Sequence, residues 1–212
     1  PSKIRLYFSK ELKANLLSNL SSEQSHYIKN VMRLKPGDTI SLFNSTNGEW
    51  KAKIVNHGKE NTEFKVEKLI KSKKIESDIW LAFSPIKKNP LDVMIQKATE
   101  LGIQKFIPIL SQRTIVKEIN VERLKKIIIE ASEQSNRISV PEIENLKPLN
   151  NFLEKFPTDG SLIFCDINCE KNDLKNILFK KKQGPICILV GPEGDFSEKG
   201  RQLLIEKKEI FS

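Results

Sequence analysis

Apolar and charged residues alternate over the first third of the chain, which is the pattern of short, half-buried β-strands. In "TEFKVEKLI", for example, Phe64 and Val66 alternate with charged residues. The same pattern predicts strands over residues 4–8, 39–43, 49–55 and 62–70. Asn47-Gly48 separates two of these stretches and is a strong hairpin signal. "KPGD", at residues 35–38, predicts a second turn.

One helix is predicted to interrupt these strands. Ser22 is suited to cap it, and the apolar residues that follow recur at helical spacing and predict one buried face. The residues of that face are Tyr27, Ile28, Val31, Met32 and Leu34. A small β-barrel of about 70 residues is the architecture that fits this run of short strands.

The pattern changes near residue 72, after which strands and helices alternate. "KSKKIESD", at residues 71–78, has the composition of a polar linker, so we predict domains over residues 1–72 and 73–212. Apolar runs predict strands over residues 79–85, 103–110, 161–167 and 186–190, and a short one near Val140. Helical periodicity predicts helices over residues 91–102, 121–137, 170–182 and 197–209, and one near Leu149. Such alternation predicts an α/β fold with a parallel sheet and helices on both faces.

Charge and cysteine content narrow the choice of partners and compartment. The chain has 36 Lys and Arg against 27 Asp and Glu, a net charge of +9 and an isoelectric point near 9.4. This balance favours a polyanion such as nucleic acid, although a generally lysine-rich proteome would produce it too. Three cysteines without framework or zinc spacing predict a reducing compartment and no metal, and Cys165 and Cys187 are predicted in the core. No apolar run approaches the roughly 18 residues of a membrane span, and we expect a cytoplasmic protein with no membrane partner.

The stretch "ICILVGPEGDFSEKG", at residues 186–200, carries the main chemical signal. Ligands of open α/β sheets bind where strands end, and this loop directly follows an apolar strand. Gly191 and Gly194 would let the main chain lie against a flat ligand, while Pro192 would stiffen the turn. A tight strand-to-helix turn without a ligand is the alternative, since the loop is neither a G-x-G-x-x-G nor a Walker motif.

"GPEGDFS" resembles the GPEGGFS loop of the SPOUT-class RNA methyltransferases, and several other stretches are similar to that class in the right order. "HYIKNVMRLKPGD" at 26–38, "QKATELGIQKFIPI" at 96–109, "SQRT" at 111–114 and "EASEQSNRISVPEI" at 130–143 resemble its small-subunit ribosomal RNA uridine-N3 methyltransferases. The resemblance implies a homodimer with an N-terminal PUA-like β-barrel that contacts RNA. It also implies a SPOUT α/β domain with a trefoil knot that binds S-adenosylmethionine. The implied reaction methylates N3 of uridine 1498 in 16S ribosomal RNA, in the small ribosomal subunit.

Candidate site residues follow from the resemblance and from the chemistry of methyl transfer. The expected cofactor-binding residues are Leu189, Val190, Gly191, Pro192, Glu193 and Gly194. The expected catalytic residues are Arg113 and Arg137, as cations beside the uracil oxygens, and Glu193, as a proton acceptor. Arg5, Arg33, Lys35 and Arg113 are the expected RNA contacts, although solvated charges are an alternative for the first three.

The sequence departs from the family pattern at two places. Asp195 stands where the family usually has glycine, and it would be tolerated as an outward-facing acid at a helix N-terminus. The family also continues beyond "EIF" with a helix that completes the knot and the cofactor pocket, so we expect that this knot tail is missing from the chain. A non-catalytic RNA-binding module with a degenerate or truncated cofactor site is therefore the alternative function.

Overall fold

In a computed structural model, the protein divides into two compact units. The structure describes residues 4–73, 76–166, 183–206 and 210–211. The first unit comprises Pro1–Ile75 together with Ser132–Val140, and the second comprises Glu76–Ala131 with Pro141–Ser212. Residues 132–140 thus join the first unit, although they follow much of the second unit in the chain.

The first unit contains a five-stranded sheet in the order β1-β3-β4-β5-β2, in which β1 runs parallel to β3 and the other pairs are antiparallel. Its strands are β1 Arg5–Tyr7, β2 Leu17–Asn19, β3 Thr39–Asn44, β4 Gly48–His57 and β5 Thr62–Lys71. All four predicted strands are present, and β2 is additional. The alternation in β5 has the predicted cause, because Phe64 and Val66 are fully buried while Lys65 and Glu67 are exposed.

The predicted helix of this unit differs from the structure. Ser21, rather than Ser22, caps helix α1 Ser22–His26 through a capping box with Gln24. The chain then forms a π-helix over Tyr27–Val31. Because the wider turn breaks the 3.6-residue period, the predicted buried face does not form. Of the predicted face, Ile28 is fully buried. Three other members, Tyr27, Val31 and Met32, are exposed.

The second unit contains a parallel sheet in the order β12-β10-β11-β6-β7-β8, with β9 paired to β7. Its strands are β6 Ile79–Phe83, β7 Lys105–Leu110, β8 Glu142–Ile143, β9 Lys147–Pro148, β10 Ser161–Phe164, β11 Ile186–Val190 and β12 Ile210–Phe211. This arrangement confirms the predicted parallel α/β fold. The central strands β6 and β11 are distant in sequence, and their carboxyl ends lie side by side.

Helices follow the strands as the periodicity predicts. They are α2 Lys88–Leu101, α3 Val121–Gln134, α4 Leu149–Lys155 and α5 Glu198–Ile205. Gly102 ends α2 at φ 109°, and the Ser197 hydroxyl caps α5 by accepting from Gly200 N–H at 3.1 Å. The predicted helix over residues 170–182, together with Cys169, lies outside the described residues.

The core of the second unit corrects one prediction about cysteine. Cys187, in β11, is fully buried, and its desolvation raises the pKa of its thiol to about 12. Cys165 is exposed, because it lies just past the end of β10 rather than within the core. Among the described helices, none has the length and apolar character that crossing a membrane requires.

Candidate active site at the carboxyl edge of the parallel sheet

The carboxyl ends of β6, β7, β10 and β11 meet at one edge of the second unit's sheet. β11 and β6 end in register, because Val190 pairs with Phe83. Ser84 N–H, directly after β6, donates to Val190 O at 3.1 Å and extends that register by one residue. The loop at residues 191–197 leaves the sheet from the middle of this edge, where ligands of parallel α/β sheets bind.

The loop holds its shape through its own hydrogen bonds. Asp195 N–H donates to Pro192 O at 2.9 Å, which closes a turn. Asp195 has φ 59°, in the left-handed region that Asp tolerates better than most residues, and its carboxylate accepts from Phe196 N–H at 2.7 Å. The side chain at this non-glycine position is therefore tolerated because it supports the loop, and not only as an outward-facing acid at the start of the helix.

The two glycines of the loop have different surroundings. A Cβ on Gly191 would lie 2.8 Å from the buried Phe196 ring, so Gly191 is needed for packing inside the loop. A Cβ on Gly194 would meet nothing within 4 Å, and Gly194 is exposed. The open space is thus on the Gly194 side of the loop, and that main chain is accessible to a ligand.

Arg113 brings the segment after β7 to this loop. Its guanidinium donates to Gly194 O at 2.9 Å. The segment is itself fixed, because the buried Thr114 hydroxyl accepts from Ser111 N–H at 2.9 Å. Arg113 is exposed, so its remaining N–H groups are available to a ligand. The structure thus brings together Arg113, Glu193 and Gly194, three of the residues that the sequence singled out.

The other predicted cofactor residues contribute in different ways. Leu189 is fully buried in the core, so its predicted contact with the cofactor would be made by its main chain. Val190 is 40% exposed, and Pro192, within the loop, is buried. Glu193 is exposed at the tip of the turn.

Two polar groups at this edge were missed by sequence reasoning. Ser84 is 3% exposed, and its hydroxyl has no hydrogen-bond partner in the part of the chain that the structure describes. Asp166, after β10, accepts from Arg201 Nε at 2.9 Å and Nη2 at 2.7 Å, and its side chain is 1% exposed. Both lie within two residues of the end of a strand, but the predicted strands over residues 79–85 and 161–167 extend past them, so their position at the sheet edge was not recognised.

Arg137 and Arg5 both belong to the first unit and are largely enclosed in it. Arg137 is 8% exposed, and its guanidinium donates to Ser139 Oγ at 2.7 Å. The Arg5 side chain, also 8% exposed, donates to the Glu49 carboxylate at 3.0 Å and to Ser132 O at 2.8 Å, and it binds Arg137 O. Its guanidinium lies 3.6 Å from the Phe43 ring centre.

These contacts correct the expectation that Arg5 binds RNA phosphate. Burial lowers the pKa of the Arg5 guanidinium, and the hydrogen bond and charge of Glu49 oppose that effect. The Arg5 guanidinium donates to acceptors within the unit, so contact with an RNA phosphate would require these hydrogen bonds to break. Arg33 and Lys35, in contrast, are exposed, with no side-chain partner among the described residues. Arg33 adopts φ 55°, which is uncommon for a non-glycine residue.

The described residues contain no group of three or more His, Cys, Asp or Glu side chains that could hold a metal ion. What the edge does offer is an accessible main chain at Gly194, a buried unpartnered hydroxyl and an exposed guanidinium. These features fit an organic ligand with both flat and polar parts, such as S-adenosylmethionine.

Comparisons with known proteins agree with this description. Residues 71–211 match the family model of the RNA methyltransferase domain, and residues 20–67 match that of the RNA methyltransferase PUA domain. Ribosomal RNA small subunit methyltransferase E of Rickettsia conorii is 35% identical over 98% of this chain and 85% of its own length. The protein of the same name from Bacillus subtilis is 26% identical over 91% of this chain and 80% of its own length.

Solved structures are similar over almost the whole chain. The Neisseria gonorrhoeae ribosomal RNA small subunit methyltransferase E, bound to S-adenosyl methionine, has a TM-score of 0.84 and 27% identity, covering 96% of this chain and 85% of that one. A putative methyltransferase from Legionella pneumophila, in complex with the same cofactor, has a TM-score of 0.87 and 25% identity, covering 99% of this chain and 88% of that one.

Proposed function

The chain belongs to the family of ribosomal RNA small subunit methyltransferases E, and from this premise we propose that it transfers a methyl group from S-adenosylmethionine to 16S ribosomal RNA. The target atom in the proposal is N3 of a uridine, at position 1498 of the standard numbering. The observation that carries the proposal is the loop at residues 191–194, whose open side faces outward at the carboxyl edge of β6 and β11.

The cofactor is proposed to lie against the main chain of residues 190–194. Support comes from the open space beside Gly194 and from the relatives whose structures contain S-adenosyl methionine. Asp195 is compatible with this role, because its carboxylate is engaged with Phe196 N–H inside the loop. The bound cofactor supplies a methyl group on a sulfonium, which is activated for in-line displacement.

Residues of the chain are proposed to accept the uracil proton and to stabilise the resulting negative charge. Uracil N3 carries a proton that must leave, and the exposed Glu193 carboxylate is the proposed acceptor. The negative charge then spreads onto uracil O2 and O4, where a guanidinium lowers the barrier electrostatically. Arg113 is the proposed cation, because its bond to Gly194 O fixes it beside the loop. Arg137 is 8% exposed and donates to Ser139 Oγ within the first unit, and its role as a second cation stays a prediction.

The first unit is proposed to bind the RNA. Support comes from the match of residues 20–67 to an RNA methyltransferase PUA domain and from the exposed Arg33 and Lys35. The proposal further includes a homodimer, a trefoil knot in the second unit and a cytoplasmic location, where a ribosomal RNA substrate would be found. Sedimentation at several protein concentrations tests the dimer.

Methyl transfer to isolated small ribosomal subunits tests the function. Subunits from cells that lack the modification are incubated with the protein and with isotope-labelled S-adenosylmethionine, and the digested RNA is analysed by mass spectrometry. We expect labelled N3-methyluridine and a reverse-transcription stop at one position, because an N3 methyl group blocks base pairing. Label on another atom would contradict the target assignment. RNA binding without cofactor binding or transfer would instead favour the non-catalytic module.

A further inference from the structure

The Ser84 hydroxyl is an exception among the buried hydroxyls of the described chain. Ser25 Oγ accepts from Thr62 N–H, Thr99 Oγ1 donates to Ile95 O, and the hydroxyls of Thr62 and Thr114 also have partners. Ser84 Oγ has none within the residues that the structure describes. A buried polar group without a partner lowers the stability of the folded state, so such groups are rare and often have a functional role.

The place of Ser84 in the fold supplies one. Its N–H is bound to Val190 O, so the residue lies against the last residue of β11, where the proposed cofactor loop begins. The following residue, Pro85, has no N–H, which leaves the hydroxyl as the donor that the chain offers directly after β6. Ser84 directly follows β6 and therefore lies at the carboxyl edge of the sheet, where ligands bind.

We propose that Ser84 Oγ hydrogen-bonds a polar atom of the bound S-adenosylmethionine and thereby positions it against residues 190–194. This inference rests on the proposed function and adds a cofactor-contact residue to it. The hydroxyl has no partner among the described residues, and a bond to the cofactor would recover the free-energy cost of its burial.

Ser84→Ala tests the inference, because it should move two properties in opposite directions. Removal of an unpartnered buried hydroxyl should raise the Tm of the cofactor-free protein by about 2 °C. Loss of one neutral hydrogen bond should weaken the binding of S-adenosylmethionine about 3- to 10-fold, as measured by calorimetry. S-adenosylhomocysteine, which lacks the transferred methyl group, should lose affinity by the same factor.

Ser161→Ala is the matched control. Ser161 is a serine that is 2% exposed and begins β10, so it lies at the opposite edge of the same sheet. Its replacement should leave cofactor affinity unchanged.

Unchanged cofactor affinity in Ser84→Ala, with or without a change in Tm, would overturn the inference. The same holds if cofactor affinity is kept and only the KM for ribosomal RNA rises, since the hydroxyl would then serve the RNA. A parent protein that fails to bind S-adenosylmethionine would instead count against the proposed function, so the two failures are distinguishable.

Discussion

Gly191 and Gly194 lie three residues apart in one loop, yet a side chain has different consequences at the two positions. The Cβ of a residue at 191 would overlap the Phe196 ring, which packs in the core of the second unit. The Cβ of a residue at 194 would enter open space, and Gly194 is not among the glycines with positive φ. The first glycine is therefore explained by packing, and the second is free to serve a ligand.

Gly194→Val should weaken cofactor binding without unfolding the protein. The valine side chain would occupy the space in which the cofactor is proposed to lie, so we expect at least about a tenfold increase in Kd by calorimetry, or about 1.4 kcal/mol. Gly191→Ala is the contrasting variant and should lower the free energy of unfolding by about 1–3 kcal/mol through overpacking. A Gly194→Val protein that folds normally and binds S-adenosylmethionine as tightly as the parent would reduce the loop to a simple turn.

Arg5→Ala should reduce stability and leave the electrostatics of RNA binding unaltered. The substitution leaves Glu49, which is 5% exposed, with Lys71 at 3.6 Å as its remaining cationic partner. Breaking a buried ion pair from one side costs about 3 kcal/mol, measurable by urea unfolding. Arg33→Ala is the control, since replacing an exposed side chain that has no partner among the described residues should change stability by less than about 0.5 kcal/mol. A weaker salt dependence of RNA binding in Arg5→Ala would restore its role as a phosphate contact.

These arginines show that the sequence does not predict which individual basic residues are buried. Arg5 and Arg33 look alike as basic residues of a charged half, and burial separates them only when residues 132–137 fold against β1. Ser84 is a similar case. A serine before a proline carries no chemical signal until β6 and β11, which are distant in sequence, are seen to end side by side.

At the scale of elements, the sequence predicts most strands and helices because their apolar patterns are set by burial on one face. The elements that it misses have other causes. β2 is only three residues long and lies at the sheet edge with Leu17 exposed. Its sequence therefore lacks the alternation of apolar and polar residues that predicts a strand. The π-helix follows helix α1 without any polar break, and its apolar residues mimic the period of a longer α-helix.

The π-helix and the turn that follows it carry the next prediction. Tyr27, Val31 and Met32 are exposed there, next in sequence to the exposed charges of Arg33 and Lys35. An exposed aromatic ring beside cations suits RNA, because a base can stack on Tyr27 while phosphates pair with Arg33 and Lys35. The double variant Arg33→Ala, Lys35→Ala should therefore weaken RNA binding. It should also reduce the magnitude of the negative slope of log K against log salt by about 1 to 2.

Lys13→Ala with Lys59→Ala provides the control for this measurement. It removes the same charge from two exposed positions of the first unit that lie outside this segment. If both double variants lower the slope equally, the effect reflects net charge alone and the π-helix segment is not the contact.

At the scale of the whole molecule, the position of the predicted linker does not determine which residues belong to each of the two observed units. The composition change near residue 72 is visible in the sequence. That residues 132–140 join the first unit is not, because the association depends on contacts more than 120 residues apart. In these contacts Arg5 donates to Ser132 O, and Tyr7 N–H donates to the Glu133 carboxylate at 2.9 Å.

This arrangement predicts that the chain stays together after it is cut at the linker. A protease site inserted between Lys73 and Glu76 would release residues 1–73 from a fragment that still carries residues 132–140. Because those residues pack within the first unit, the two fragments should elute as one species in size-exclusion chromatography under native conditions. Arg5→Ala removes the bond to Ser132 O, so the cut variant should separate at a lower urea concentration than the cut parent. Fragments of the parent that separate in native buffer would mean that residues 132–140 do not hold the first unit together.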